Sequence, residues 1–189
     1  MAIVFQKLTP EAADAFFRFF DRDAFSDHED WAGCYCLESH IASEANEALT
    51  DREARKQKAA ELIGEGVMTG YLIYDGDEIV GWCNAGDKTS YGPICAYAPM
   101  RTGPLEKGRV KVLYCLDIAP QARGRGLARL ALEQVLADAK EEGYAFVEAY
   151  PFRDTSFPYQ YRGPARLYEQ YGFERLRELD WCIVMSKAL

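Results

Sequence analysis

The sequence predicts one α/β domain built on a mixed sheet, and three stretches carry that prediction. Residues 71–74 and 78–83, within TGYLIYDGDEIVGWC, read as a β-hairpin closed by an Asp75-Gly76 turn. Residues 109–118, RVKVLYCLDI, form a nearly continuous apolar run, the composition of a strand buried on both faces. A helical pattern over 127–142 and a strand-like run over 144–150 follow it. Together they make a strand–helix–strand unit whose crossover should be right-handed and parallel.

Taken in order, residues 3–8 suit a first strand. Thr9 and Pro10 then open a helix from Glu11, a cap residue followed by a first-turn proline. Phe16, Phe17, Phe19 and Phe20 are too many aromatics for one helical stripe, so part of that surface should pack on a loop or a ligand. Residues 21–50 show no clear period. Residues 51–64 suit a charged helix, and 86–108, frequent in Gly and Pro, read as loop. In the helix over 127–142, Leu127, Leu130, Ala131, Val135, Leu136 and Ala139 fall on one face, and Gly143 is a natural stop. A short helix over 164–171, ended by Gly172, and a strand over 181–185 complete the chain. With no internal repeat and no low-complexity linker, residues 1–189 are expected to form one domain.

Hydrophobic residues make up 49% and charged residues 28%, a globular balance rather than a disordered one. The net charge of -8 and a pI near 4.9 speak against general affinity for nucleic acid or an anionic membrane surface. They leave room for one local anion site. The N-terminal stretch lacks the basic region and long apolar run of a signal peptide, and no segment reaches the roughly 18 apolar residues of a membrane helix. A cytoplasmic protein with reduced thiols is expected. Of the six cysteines, Cys83, Cys95, Cys115 and Cys182 sit in apolar or aromatic surroundings and read as core.

The stretch that can carry chemistry is QARGRG, residues 121–126, between the apolar strand and the 127–142 helix. Glycines there let the backbone turn sharply and aim successive N–H groups at one point. The helix beginning there adds unpaired donors and a positive dipole end. Such a loop suits a pyrophosphate, with Arg123 and Arg125 as additional charge. Taken alone it equally fits a solvated strand-to-helix turn. The spacing is neither that of a P-loop nor of a dinucleotide fingerprint.

Two stretches resemble the GNAT superfamily of acetyl-CoA-dependent N-acyltransferases. IAPQARGRGLARLAL is similar to its motif A, with the signature [QR]-x-x-G-x-[GA]. ARLYEQYGFE, residues 165–174, is similar to its motif B, and the two stand in the family's order. The upstream hairpin resembles its second and third strands, so the likeness spans roughly residues 69–186. It implies a mostly antiparallel mixed sheet with helices on both faces and a splay between two central parallel strands. It further implies that backbone groups of Leu116 and Ile118 hold the pantetheine arm of acetyl-CoA. N–H groups of Arg123, Gly124, Arg125, Gly126, Leu127 and Ala128 would cradle the pyrophosphate. Tyr168 would stand beside the thioester sulfur as general acid. Arg162 departs from the pattern, standing where many members have Asn.

Direct attack of an amine on a thioester in a ternary complex needs the neutral amine. Deprotonating an ammonium of pKa near 10.4 at pH 7 costs about 4.6 kcal/mol, so a carboxylate base is expected. Glu148 is the first candidate and Asp117 the second. WAGCYCLESH, residues 31–40, offers Cys34, Cys36 and His40, with His28 nearby, as a weak metal pattern. Cys36 with His40 also reads as an activated thiol; a loop lining the acceptor pocket suits the stretch better, and no metal is expected. The insertion over 151–164 is another candidate pocket wall. The expected function is acetyl transfer to the primary amine of a small molecule or peptide, with no nucleic-acid or membrane partner and homodimerisation as a compatible assembly. A non-catalytic acyl-CoA sensor on the same fold is the alternative.

Overall fold

A computed structural model of the chain describes residues 2–101, 107–156 and 160–189. The strands are β1 (Ile3–Lys7), β2 (Gly70–Asp75), β3 (Glu78–Asp87), β4 (Val110–Ile118), β5 (Phe146–Ala149), β6 (Glu174–Glu178) and β7 (Ile183–Ala188). They form one sheet in the order β1-β2-β3-β4-β5-β7-β6. Only the β4–β5 pair is parallel; the other five are antiparallel. The helices are α1 (Ala13–Arg22), α2 (Ser43–Ala48), α3 (Arg52–Gly64), α4 (Gly92–Ala96), α5 (Ala98–Arg101), α6 (Leu127–Glu141) and α7 (Ala165–Gln170). No described helix is long and apolar enough to cross a membrane.

Helices cover both faces of the sheet, because its central strands are apolar on both. α1 and α3 pack with Leu72, Trp82 and Val112 on one face. α6 and α7 pack with Ile73, Cys83 and Leu113 on the other. The four phenylalanines of α1 are all buried. Phe16 meets Trp82 edge-on at 4.9 Å, while Phe17 and Phe20 lie 5.6 and 5.8 Å from Tyr35 in the following loop. The excess aromatics of α1 thus anchor a loop, residues 23–42, over the sheet.

Two irregularities of β4 position the site. Asn84 faces Cys115 but Ala85 faces Leu113, so Tyr114 is an extra residue, a β-bulge. The bulge puts Tyr114 and Cys115 in the same core cluster and restores alternation beyond them. In addition, β5 is so short that it pairs only with Val110–Leu113. The remainder of β4, from Tyr114 to Ile118, has β3 on one side and an opening on the other.

Several elements differ from expectation. Residues 88–101 are largely helical rather than loop, with a 3-10 turn at Lys88–Ser90 before α4 and α5, while 102–106 lie outside the described residues. In the 151–164 insertion, 157–159 also lie outside them. β6 escaped prediction because ERLRE is exposed along its length and carries no apolar alternation. α2 escaped it because none of its residues is buried, leaving no apolar stripe to read. β7 runs on past Met185 because Lys187 and Ala188 pair with β5, a long-range register that apolar patterning does not report. Cys95 is half-buried rather than core, its thiol donating to the Lys88 carbonyl.

Candidate active site

The QARGRG loop leaves β4 through a 3-10 turn, Pro120–Ala122, and enters α6 at Gly126. Gly124 and Gly126 have φ of 75° and 79°. A side chain at either would meet no neighbour, so the requirement for glycine is conformational rather than steric. The left-handed turns leave the N–H groups of Gly124, Arg125, Gly126, Leu127 and Ala128 without acceptors among the described residues. Arg123 does not join them, since its N–H donates to the Pro120 carbonyl at 3.3 Å.

A cavity of about 500 Å³ opens over this loop. Leu116, Asp117, Ile118, Arg123, Gly124, Gly126, Leu127 and Ala128 line it, with Trp31, Tyr161 and Gly163 opposite. Of the residues the sequence assigned to cofactor binding, Arg125 alone is absent from its walls. Its guanidinium bonds Asp75 at 2.7 Å. Arg123 is tied to Asp27 and to the Ile118 carbonyl. Both arginines are therefore paired, and the donors the loop leaves open are backbone N–H groups.

At the splay, Ala119 donates to Val80, so Leu116 and Ile118 alternate to the side facing away from β3. The Leu116 N–H is nevertheless engaged, donating to the Tyr161 carbonyl at 2.6 Å. The 151–164 insertion thus supplies a backbone partner where β5 has ended. For a ligand along this edge, the Leu116 carbonyl and Ile118 N–H stand in place of the Leu116 N–H.

A second cavity, also about 500 Å³, adjoins the first. Phe25, Trp31, Asp117 and Tyr161 line both. Its own walls include Asp30, Cys34, Cys36, Glu38, Tyr114 and Cys115. Arg55 of α3 builds this wall, donating to the carbonyls of Gly33, Cys34, Asn46 and Leu49. Those bonds are to neutral carbonyls, so the Arg55 charge stands in the wall together with the acidic side chains of Asp30, Glu38 and Asp117.

Asp117 stands where the cavities meet. Its Oδ2 accepts from the Cys115 thiol at 3.2 Å and the Cys36 thiol at 3.7 Å. Burial raises its pKa to about 6 against the two thiol hydrogen bonds, which pull it down. A carboxylate held near neutral at the junction of two cavities can accept and return a proton close to physiological pH.

Glu148 is elsewhere. Its Oε2 accepts from Lys88 Nζ at 2.7 Å and from the Tyr150 hydroxyl at 2.6 Å, with both charged side chains fully buried. It lines neither cavity, whereas Asp117, the second candidate, lines both. Its partner Lys88, 60 residues away, lies in a stretch that reads as loop, so the pair leaves no local pattern.

Tyr168 also lines neither cavity. Its ring packs on Phe173 and its hydroxyl donates to the Arg162 carbonyl at 2.6 Å, under Gly163. Burial pushes its pKa well above the ordinary tyrosine value. In this structure the hydroxyl ties α7 to the end of the insertion. Tyr168→Phe should cost about 1–2 kcal/mol by stranding a buried carbonyl, read as a lowered denaturation midpoint.

The Cys34, Cys36, His40 and His28 pattern does not assemble. His28 stacks on Trp31 at 4.5 Å. His40 bonds the Ser90 carbonyl and the Asn84 side chain, and burial lowers its pKa. Cys36 instead meets Trp82 and Asp117. Tyr161 of the insertion, by contrast, lines both cavities. Tyr161 and Phe152 join Tyr114 and Trp181 in enclosing the Arg162 guanidinium at 4.4–5.8 Å. Arg162 also bonds Glu38 at 3.3 Å and the Tyr114 hydroxyl at 2.6 Å, linking the insertion to the second cavity.

Residues 28–173 match the family model described as "Acetyltransferase (GNAT) family". Among solved structures, the chain is similar to PaiA N-acetyltransferase from Thermoplasma acidophilum in complex with coenzyme A, at TM-score 0.58 and 15% identity over 100% of both chains. It is similar to the Drosophila melanogaster polyamine N-acetyltransferase that forms N-acetylagmatine, at TM-score 0.59 and 16% identity over 100% of both. The aminoglycoside acetyltransferase AAC(6')-Ib in complex with coenzyme A gives TM-score 0.59 and 16% identity, over 99% of this chain and 95% of that one. At these identities the likeness is one of fold. No curated protein matches in sequence.

Proposed function

The chain belongs to the acetyltransferase (GNAT) family, and from that premise we propose that it transfers an acetyl group from acetyl-CoA to a primary amine. The observation that carries the proposal is the meeting of two cavities at Asp117. One has a floor of unpartnered backbone donors suited to a pyrophosphate; the other is lined by carboxylates and aromatic rings. Acetyl-CoA supplies the activated acyl group. The residues that would hold it are Gly124, Arg125, Gly126, Leu127 and Ala128 through their N–H groups, and Leu116 and Ile118 through the backbone groups at the splay.

The acceptor is a small cationic amine. Asp30, Glu38 and Asp117 face its cavity, and Phe25, Trp31, Tyr114 and Tyr161 offer ring surfaces for a cation. Asp117 takes the ammonium proton as the amine attacks directly in the ternary complex. Because it lines both cavities, the same carboxyl can deliver that proton to the departing thiolate. The chemistry needs one shuttling group rather than a separate base and acid.

The test is twofold. Acetyl-CoA at one hundred times its Kd should stabilise the protein by about 2.7 kcal/mol, read as a thermal shift, and free CoA should be released when di- and polyamines are added. Failure of acetyl-CoA to bind or stabilise would sink the reading; binding without CoA release across a broad amine panel would favour a sensor. The loop can be tested separately. Gly124→Glu places a carboxylate among the anion-binding donors at a left-handed position and should abolish acetyl-CoA binding, whereas Arg125→Ala should weaken it only several-fold.

A further inference from the structure

Cys36 is held in a way the direct transfer leaves unused. The Trp82 indole N–H donates to its sulfur at 3.2 Å, and the thiol points to Asp117 Oδ2 at 3.7 Å. The sulfur thus has a donor to support negative charge and a carboxylate to receive its proton, the two requirements of an activated thiol. Cys115 shares the carboxylate, but no described N–H bonds its sulfur, and burial pushes its thiol well above the ordinary range.

The backbone is strained to make this arrangement. Tyr35 and Cys36, with φ of 44° and 53°, are the non-glycine residues in the left-handed region among those described. Each is a conformation that an L side chain disfavours. The surroundings impose it. The Tyr35 ring is wedged against Phe17 and Phe20, with its hydroxyl on Asp21, and the Cys36 carbonyl accepts from Ser39. The result is a thiol in the wall of the acceptor cavity, bonded to the one carboxylate among the described residues that also lines the acetyl-CoA cavity.

We propose that Cys36 is an auto-acylation site: with acetyl-CoA bound and no amine in the acceptor cavity, its sulfur takes the acetyl group. The Cys36 sulfur bonds the thioester carbonyl carbon and the bond from that carbon to the CoA sulfur breaks. The Cys36 proton passes to Asp117 and on to the departing thiolate. One thioester replaces another, so no oxidant or reductant enters, and acetyl-CoA relative to free CoA sets the acylated fraction. The acetyl group then occupies part of the acceptor cavity.

This inference rests on the acetyl-CoA reading, so the test separates the two. The full chain is incubated with acetyl-CoA without amine, a thermal shift is recorded, and the intact mass and peptide map are read. Gain of one acetyl group at Cys36, removable by neutral hydroxylamine and reduced more than tenfold in both Cys36→Ala and Cys36→Gly, is the expected result. Cys36→Gly is included because glycine accepts the left-handed backbone, so a folded variant is available. Cys115→Ala should keep the adduct. A thermal shift with no adduct at Cys36 overturns the inference and leaves the transferase reading standing. If no thermal shift occurs, p-nitrophenyl acetate is the donor: faster labelling of Cys36 than of Cys115 supports the activated thiol, and equal or absent labelling overturns it.

Discussion

Lys88→Met should lower stability by about 3–5 kcal/mol, enough to unfold a large share of the protein at 37 °C. The reason is the partner left behind. Glu148 is fully buried on β5, its Oε2 held by Lys88 and Tyr150, and its Oε1 has no partner among the described residues. Removing the ammonium leaves a carboxylate in the core with one neutral donor. Glu148→Gln alone should be nearly as costly, because it strands Lys88. The double variant Lys88→Met/Glu148→Leu should recover most of the loss, since both charges leave together. Urea denaturation at pH 7 reads all three. A loss below about 1 kcal/mol in Lys88→Met would falsify the buried-pair account. Where Glu148→Gln remains folded, its kcat should stay within a few-fold of wild type, which separates a structural carboxylate from a catalytic one.

Asp117→Asn should do the opposite: stabilise the protein and sharply slow its turnover. Burial raises this carboxyl from an ordinary 3.8 to about 6, with Glu38 adding to the rise and the Cys115 and Cys36 thiols and Arg123 opposing it. Between those values the folded chain binds the proton more tightly than the unfolded chain does. Stability therefore falls as pH rises from about 4 to 6, and above that range the ionised carboxylate costs about 3 kcal/mol. Asparagine keeps an oxygen for the thiols and carries no charge, so a gain of about 1–3 kcal/mol at pH 7–8 is expected. The rate should fall by about 10²–10⁴-fold with acetyl-CoA binding retained. In the wild type, kcat/KM should rise with pH through about 6 as Asp117 ionises, and the residual activity of Asp117→Asn should lack that limb. Unchanged turnover in the variant would remove Asp117 from the mechanism.

The sheet and the glycine loop before α6 were legible because each is encoded locally. The apolar run that becomes β4 is buried almost throughout, as its composition requires. Gly124 and Gly126 adopt the left-handed conformations that glycine at those points permits, and α6 stops before Gly143, also at positive φ. The residues of two motifs, their order and the upstream hairpin carried the resemblance that the family match over residues 28–173 agrees with. Elements without an apolar pattern, α2 and β6, left no such trace.

Choosing among the titratable residues was a different problem. Glu148 and Asp117 look alike in sequence, each an acid on a predicted strand near the motif helix. What separates them is a lysine 60 positions away for one and a thiol 81 positions away for the other. The same holds for Tyr168, whose motif position is plain while its hydroxyl partner depends on how the insertion returns. Cys36 reads as pairing with His40, four residues on, yet it meets Trp82 and Asp117 across the sheet. By itself the sequence determined the strand–loop–helix that can hold a pyrophosphate, because backbone conformation there follows from glycine and from helix termini. Only the tertiary structure decided which carboxylate is buried beside which partner. Protonation depends on desolvation and neighbouring charge, and those are properties of three-dimensional proximity.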